Sequence, residues 1–203
     1  MRQVSIPDDL GNRLLQWEQE YRPHSEIPAL SPELKLNPAA VLMPLFVTRD
    51  GWNLFYTRRT DRVGTHRGEV AFPGGAAEPG DGGDLVKTAI REAWEEVGIK
   101  PADVTTLGSL PEMNLVSYFR VKPVVGLIPW PFEMKLSEDE VARAFSVPLD
   151  WLADPANSYT KTREFNGHRY EVRYFEPYDG EVIWGATAYM TWQLLQVLKE
   201  SNE

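Results

Sequence analysis

The hydrophobic and polar positions of the chain alternate between helix-like and strand-like spacing, which predicts a mixed α/β protein. Apolar residues recur at helical spacing over residues 7–21. The apolar run Ala39–Val47 is followed by the turn signal 49–51 and a second apolar stretch at 53–57, a pattern typical of a β-hairpin. Pro44 interrupts the first strand, and because proline lacks a backbone N–H we expect an edge strand or a bulge there.

The clearest helical pattern in the chain runs from Leu85 to Val97. Asp84 precedes it as a predicted N-cap, and Gly98 follows it as a predicted C-cap. Its buried stripe consists of Val86, Ala89, Ile90, Ala93 and Val97. The remaining pattern predicts strands at 104–110, 119–129, 170–175 and 182–184, and helices at 138–145 and 186–199.

This order of elements predicts an α/β fold in which a mixed β-sheet is sandwiched between helices, an α/β/α arrangement. Residues 1–35 are interpreted as an N-terminal helix with a proline-containing connection, and residues 36–203 as the main domain. The N-terminal helix either packs on this domain or mediates dimerisation, so we expect a monomer or a homodimer.

Composition narrows the class of protein. The 203-residue chain has no cysteine, which excludes disulfides, zinc–thiolate sites and thiol nucleophiles. It also lacks a run of about 20 apolar residues and the apolar core of a signal peptide, so we expect a cytoplasmic protein without a membrane span. A net charge of −9 argues against a broad surface for nucleic acid or anionic membranes. It remains compatible with a small phosphorylated ligand bound by a local basic patch.

Three glutamates are concentrated near the end of the predicted helix. Glu92 lies three residues before Glu95 and four before Glu96, spacings that place the carboxylates on one helical face. Like charges in this arrangement repel, whereas a hard divalent cation is held by clustered carboxylate oxygens. The loop Phe72-Pro73-Gly74-Gly75 precedes the helix, and its glycines allow the backbone to approach a ligand and supply a carbonyl to the same metal. We therefore predict a metal site, with phosphate chemistry as its expected use.

The segment from Gly75 to Ile99 resembles the Nudix box, the signature of the Nudix hydrolases. Its second half, Arg91-Glu92-Ala93-Trp94-Glu95-Glu96-Val97-Gly98-Ile99, matches fully. In its first half, Asp81 stands where the family has glutamate, and nine residues instead of seven separate it from Arg91. The pair Gly82-Gly83 is expected to absorb this difference as a longer loop.

The resemblance implies a Nudix fold, Mg²⁺ or Mn²⁺ as cofactor, and pyrophosphate hydrolysis. Glu92, Glu95 and Glu96 are the implied metal ligands, joined by the backbone of Gly75. Arg91 is implied to hold these glutamates in place by charge-assisted hydrogen bonds. Glu140 is the first candidate for the general base, with Glu138 and Glu92 as alternatives.

A basic segment upstream of the box bears on the substrate. Guanidinium groups pair with phosphates in a bidentate way. The pattern from Thr57 to Gly75 resembles the signature of coenzyme A pyrophosphatases, although Thr60 and Gly64 stand where Ser or Ala and a second Arg are expected. The predicted substrate-binding residues are Arg58, Arg59, Arg62, His66 and Arg67.

Three functions follow from this resemblance. The first is hydrolysis of coenzyme A or acyl-coenzyme A to 3′,5′-ADP and 4′-phosphopantetheine or its acyl form. The second is hydrolysis of another nucleoside diphosphate derivative, such as ADP-ribose, NADH or a nucleoside triphosphate. The third, a nucleotide-binding module without activity, is disfavoured because all three box glutamates are present. Aromatic residues that could stack on adenine are Tyr118, Phe119, Tyr159 and Trp184.

Overall fold

The computed structural model describes residues 4–21, 35–61, 68–165 and 167–199. Within these ranges the helices are α1 (Leu10–Glu20), α2 (Leu85–Val97), α3 (Leu149–Ala153) and α4 (Gly185–Lys199). The strands are β1 (Asn37–Thr48), β2 (Gly51–Arg59), β3 (Val70–Ala71), β4 (Gly74–Ala76), β5 (Thr105–Ser109), β6 (Met113–Asn114), β7 (Phe119–Leu127), β8 (Val141–Pro148), β9 (Ser158–Phe165) and β10 (His168–Phe175). None of the helices in these ranges is both long and apolar enough to cross a membrane.

A mixed sheet forms the centre of the molecule, as the sequence predicted. Its main path runs β3-β2-β1-β7-β5, while β4 pairs with β1, β6 with β7 and β8 with β2. The β1–β7 pair is parallel and the other pairs are antiparallel. Strands β9 and β10 form a separate antiparallel hairpin.

Pro44 does not lie in an edge strand, contrary to the sequence-based expectation. Strand β1 is central, with β7 along one side and both β2 and β4 along the other. On that second side β4 pairs with residues 39–41 and β2 with residues 45–48. Pro44 falls between these two partners, so its missing N–H removes no bond to either of them.

Helices cover both faces of the sheet. Ala89, Ala93 and Val97 of α2 are buried against one face, where they pack with Leu42 and Phe46 of β1. Burial of this apolar stripe is the main force that holds α2 on the sheet.

The opposite face is covered by α1 and α4. Leu10 and Leu14 of α1 are fully buried in the same apolar cluster as Leu194 of α4. Polar contacts add to this packing, since Trp17 Nε1 donates to Gln193 Oε1 at 3.4 Å. The N-terminal helix therefore packs on the sheet within one chain.

The C-terminal half departs most from the sequence-based expectation. The helix predicted at 138–145 is wrong: residues 138–140 form a turn, and β8 follows with Val141, Phe145 and Val147 buried. Pairing of β8 with β2 supplies the backbone hydrogen bonds that outweigh its helical propensity. Residues 182–184 do not form a strand but contribute one isolated bridge, between Trp184 and Tyr174.

Candidate active site

Helix α2, which carries the box glutamates, has a well-defined cap at each end. The Asp84 carboxylate accepts from the backbone N–H of Val86 at 3.0 Å and caps the first turn, as predicted. Gly98 ends the helix with φ of +81°, in the left-handed region that favours glycine. With the apolar stripe turned to the sheet, Glu92 and Glu96 border an open cleft beside it.

The Phe72 to Gly75 loop lies against these glutamates. A Cβ atom on Gly75 would lie 2.6 Å from Glu92 Oε1 and 2.7 Å from its Cδ, so a side chain there would force the carboxylate to move. A Cβ on Gly74 would lie 2.4 Å from the carbonyl oxygen of Ala40. The backbone N–H of Gly74 points to Glu96 Oε2 at 3.4 Å. The loop is thus a close-fitting backbone wall beside both carboxylates.

Arg91 connects the box glutamates to the preceding loop. Its Nη1 donates to Glu92 Oε1 and to Glu95 Oε2, each at 2.9 Å. Its Nη2 donates to the carbonyl of Ala76 at 3.1 Å and to Asp81 Oδ2 at 3.1 Å, while Nε donates to Asp81 Oδ1 at 3.0 Å. Arg91 therefore lies in the position that the resemblance implies, in contact with two of the three glutamates.

Asp81 is a site residue whose role the sequence left open. Its side chain is only 4% exposed and also accepts from Thr88 Oγ1 and from the backbone N–H of Glu78, each at 2.8 Å. The hydrogen bonds from Arg91 hold the pKa of this carboxyl well below its usual range. Gly82 and Gly83, at φ of +64° and +81°, form the longer turn that follows. The signal was the spacing from Gly75, which already placed Asp81 at the family's glutamate position.

Two carboxyl groups in the cleft carry raised pKa values. Burial raises the pKa of Glu96 to about 8; nearby Arg59 opposes this effect, and the charges of Glu92 and Glu140 reinforce it. Burial also raises the pKa of Glu92, against the opposing effect of Arg91. The cleft is therefore short of positive charge, a condition that a bound cation would relieve.

Glu140 reaches the same cleft from the other side. It lies in the exposed turn before β8. Thr60 fixes this turn to the end of β2, because its N–H donates to the Glu140 carbonyl at 2.9 Å and its hydroxyl to the Asp139 carbonyl at 2.6 Å. Glu140 lines the cleft together with Glu92 and Glu96, whereas Glu138 does not line it.

These residues suit a hard divalent cation, although they do not enclose one by themselves. Among the residues that the structure describes, no three acidic or histidine side chains gather closely enough to hold a metal. Glu95 is 54% exposed and bonded to Arg91, outside the cleft lining. Glu92 and Glu96 are hard oxygen donors with raised pKa values, and Mg²⁺ is commonly bound through one or two carboxylates plus water and substrate phosphate. The donor set thus fits a cation shared between protein and substrate.

Of the predicted substrate-binding residues, the structure describes Arg58 and Arg59, which lie in different surroundings. Arg59 Nη1 lies 3.9 Å from Glu96 Oε1 and borders the cleft. Arg58, its neighbour in β2, does not line the cleft, and its Nε lies 3.5 Å from Glu181 Oε1. Adjacent strand residues point to opposite faces, which explains the difference. Arg62, His66 and Arg67 lie outside the described residues.

The cleft extends well beyond the carboxylates, with a volume of about 630 Å³. Phe119 and Trp184, two of the aromatic residues singled out for stacking, line it, whereas Tyr118 and Tyr159 do not. Its further wall is mostly apolar and comes from three separate segments. That wall includes Met113, Leu115, Val116, Val172 and Met190. Sequence reasoning missed this wall because only the tertiary fold brings these segments together.

Comparison with known proteins agrees with this geometry. The model of the NUDIX domain family matches residues 36–166. An uncharacterized Nudix hydrolase, NudL, from Pectobacterium atrosepticum is 41% identical over 167 residues, which cover 82% of this chain and 85% of that protein. NudL from Citrobacter koseri is 41% identical over 160 residues, with 76% and 79% covered.

Solved structures show the same fold. The MutT protein from Methanosarcina mazei Go1 superposes with a TM-score of 0.53 at 19% identity, covering 85% of this chain and 100% of that one. Together with the box residues around the cleft, the family match and the NudL relatives show that this chain belongs to the Nudix hydrolase family, whose members act on nucleoside diphosphate derivatives.

Proposed function

We propose that this hydrolase cleaves the diphosphate of coenzyme A or acyl-coenzyme A, releasing 3′,5′-ADP and 4′-phosphopantetheine or its acyl form. The observation that supports this substrate is the two-part character of the cleft. Arg59, Glu92, Glu96 and Glu140 lie in its charged part, and an apolar wall that includes Met113 to Val116 extends it. Coenzyme A has the same division, because a long, largely uncharged pantetheine arm follows its diphosphate.

A divalent cation, Mg²⁺ or Mn²⁺, is part of the proposal. Glu92 and Glu96 would hold it from α2, with the Gly75 backbone beside them and Glu95 joining through a rotation away from Arg91. When bound, such a cation neutralises phosphate oxygens and lowers the pKa of a coordinated water. The charge distribution of the cleft supports this role, since burial raises the pKa of both Glu92 and Glu96.

The other residues act on substrate position and on the proton. Arg59 borders the cleft near Glu96 and would contact the diphosphate through its guanidinium group. Arg91 orients Glu92. Glu140, exposed at the cleft and fixed by Thr60, would accept the proton of the attacking water as the general base. Glu138 and Glu92 remain the alternative bases.

A second substrate class has a specific observation in its favour. Gly64 replaces an arginine of the coenzyme A pyrophosphatase pattern. Loss of that cation favours a substrate with fewer phosphate groups, such as ADP-ribose or NADH. A pure binding module is disfavoured, because Glu92, Glu95 and Glu96 are all present on one turn of α2.

A substrate panel tests this proposal. Turnover of coenzyme A, acyl-coenzyme A, ADP-ribose and NADH would be measured with Mg²⁺ and with Mn²⁺, and the products identified by mass. We expect the highest kcat/KM for coenzyme A or an acyl derivative, with 3′,5′-ADP as the nucleotide product. A higher kcat/KM for ADP-ribose or NADH would contradict the coenzyme A assignment while leaving the family intact.

A further inference from the structure

The β9–β10 hairpin places two cations at the rim of the cleft. Its register sets Lys161 opposite Val172 and Arg163 opposite Tyr170. Directly opposed residues of an antiparallel pair share one face, with Cβ atoms about 5 Å apart. Val172 and Tyr170 both line the cleft. Lys161 and Arg163 therefore lie on the face of the hairpin that borders the active site.

Three stacked rings, those of Tyr159, Tyr174 and Trp184, form an aromatic ladder next to these cations. Lys161 Nζ is 5.0 Å from the ring centroid of Tyr159 and 5.2 Å from that of Tyr174. Arg163 donates from Nε and Nη2 to the Tyr174 hydroxyl at 3.1 and 2.9 Å. Trp184, which lines the cleft, stacks on Tyr174 with ring centroids 5.8 Å apart. The ladder thus connects the two cations to the cleft.

Neither cation is neutralised by a described residue. In the ranges that the structure describes, Lys161 and Arg163 make no ion pair, whereas Arg59 and Arg91 both face carboxylates. Glu164 and Glu171 occupy the other face of the hairpin, by strand alternation. In a chain of net charge −9, two exposed and uncompensated cations beside an active-site cleft suit an anionic part of the ligand.

Building on the proposed function, we propose that Lys161 and Arg163 bind a phosphomonoester attached to the ribose of the substrate, at a distance from the diphosphate. In coenzyme A this group is the 3′-phosphate. Aromatic rings that support both cations limit their motion and place them ready for a dianion. The nucleotide end of the substrate then lies along the hairpin, and the pantetheine arm lies along the part of the apolar wall formed by Met113, Leu115 and Val116.

The kinetic test compares coenzyme A with 3′-dephospho-coenzyme A. Lys161→Ala and Arg163→Ala are each expected to lower the ratio of the two kcat/KM values by about tenfold, mainly through KM for coenzyme A. Lys161→Arg keeps the charge and is expected to keep the ratio. Arg169→Ala, on the opposite face of the same hairpin, is the matched control and is expected to leave the ratio unchanged. An equal ratio in wild type and Lys161→Ala would overturn the inference.

A binding measurement separates this inference from the substrate assignment. Calorimetry would compare 3′,5′-ADP, 2′,5′-ADP and 5′-AMP on wild-type protein and on the same variants. We expect 3′,5′-ADP to bind about tenfold more tightly than 5′-AMP, and Lys161→Ala to remove that difference. A Lys161-dependent preference in a protein that does not cleave coenzyme A would support the phosphate site and refute the proposed substrate. The same affinity for all three nucleotides would refute the site, whatever the substrate.

Discussion

Arg91 and Asp81 are joined by two parallel hydrogen bonds, of 3.0 Å from Nε and 3.1 Å from Nη2. A bidentate pair fixes the orientation of a guanidinium as well as its position. The remaining nitrogen of the same group donates to Glu92 and Glu95. Asp81 does not line the cleft, yet it controls through Arg91 where the Glu92 carboxylate lies.

Replacing Asp81 by asparagine is expected to lower both the stability of the fold and the activity. The variant removes the carboxylate that pairs with Nε and Nη2 of Arg91, and we expect a loss of about 2 kcal/mol in the free energy of unfolding. Because Glu92 loses its positioning, kcat/KM is expected to fall by about tenfold to a hundredfold. Urea unfolding and steady-state kinetics measure the two effects. Asp103→Asn, at an exposed position, is the control, and an equal effect of both variants would contradict the role of Asp81.

The Asp81–Arg91 pair also predicts acid sensitivity. The pKa of Asp81 lies below its ordinary value in the folded protein, so the unfolded chain takes up the proton first as the pH falls. The stabilisation is therefore complete above a pH of about 4 and is lost progressively below it. The difference in unfolding free energy between wild type and Asp81→Asn is expected to shrink as the pH falls from about 4 to about 2. A constant difference across this range would refute the linkage.

Metal affinity is expected to rise with pH. The pKa of Glu96 is raised from 4.5 to about 8, so at neutral pH a proton must leave before this carboxylate binds a cation. The Mn²⁺ association constant should increase by up to about tenfold per pH unit up to a pH of about 8, and then level off. Calorimetry in buffers with different ionisation enthalpies detects the released proton. Glu96→Gln should abolish the proton release, and a pH-independent affinity in wild type would contradict the account.

The same shift has a consequence for the metal-free protein. Between a pH of about 4.5 and about 8 the folded protein holds a proton that the unfolded chain has released, so stability falls as the pH rises through this window. Thermal unfolding with a chelator present is expected to show this decline in wild type and a smaller one in Glu96→Gln.

A side chain at Gly75 is expected to lower activity by moving the Glu92 carboxylate. A Cβ atom there would lie 2.6 Å from Glu92 Oε1, so Gly75→Ala displaces the carboxylate. We expect turnover to fall by about a hundredfold, because misplacement of a catalytic group by about 1 Å has effects of this size. Gly80→Ala provides the control, since a Cβ at that position meets nothing within 4 Å. Similar activity in the two variants would show that the close approach is irrelevant to function.

Features encoded locally were predictable from the sequence. Asp84 and Gly98 cap α2 where expected, because a cap depends only on the residue and the adjacent turn. The clustering of the glutamates on one side of α2 was predictable from the helical period, and the spacing from Gly75 pointed to Asp81. Only the structure shows that Arg91 hydrogen-bonds to Glu95 and that Arg58 lies beside Glu181.

Features that depend on distant partners were not predictable. Strand β8 replaced a predicted helix because β2 pairs with it along residues 141–148. Strand β9 carries Thr, Lys, Arg and Glu, so it lacks an apolar alternation, and its pairing with β10 defines it. The apolar wall of the cleft joins residues near Met113, Val172 and Met190, which no local pattern connects.

In the proposed function, carboxylates on α2 hold a divalent cation for diphosphate hydrolysis. The most direct measurement is the turnover of Glu96→Gln on the preferred substrate of the wild type, across a titration of Mg²⁺ and Mn²⁺. We expect kcat/KM to fall by at least about a hundredfold at every metal concentration, while circular dichroism shows an unchanged fold. A kcat/KM of Glu96→Gln equal to that of the wild type at the same metal concentrations would contradict the account.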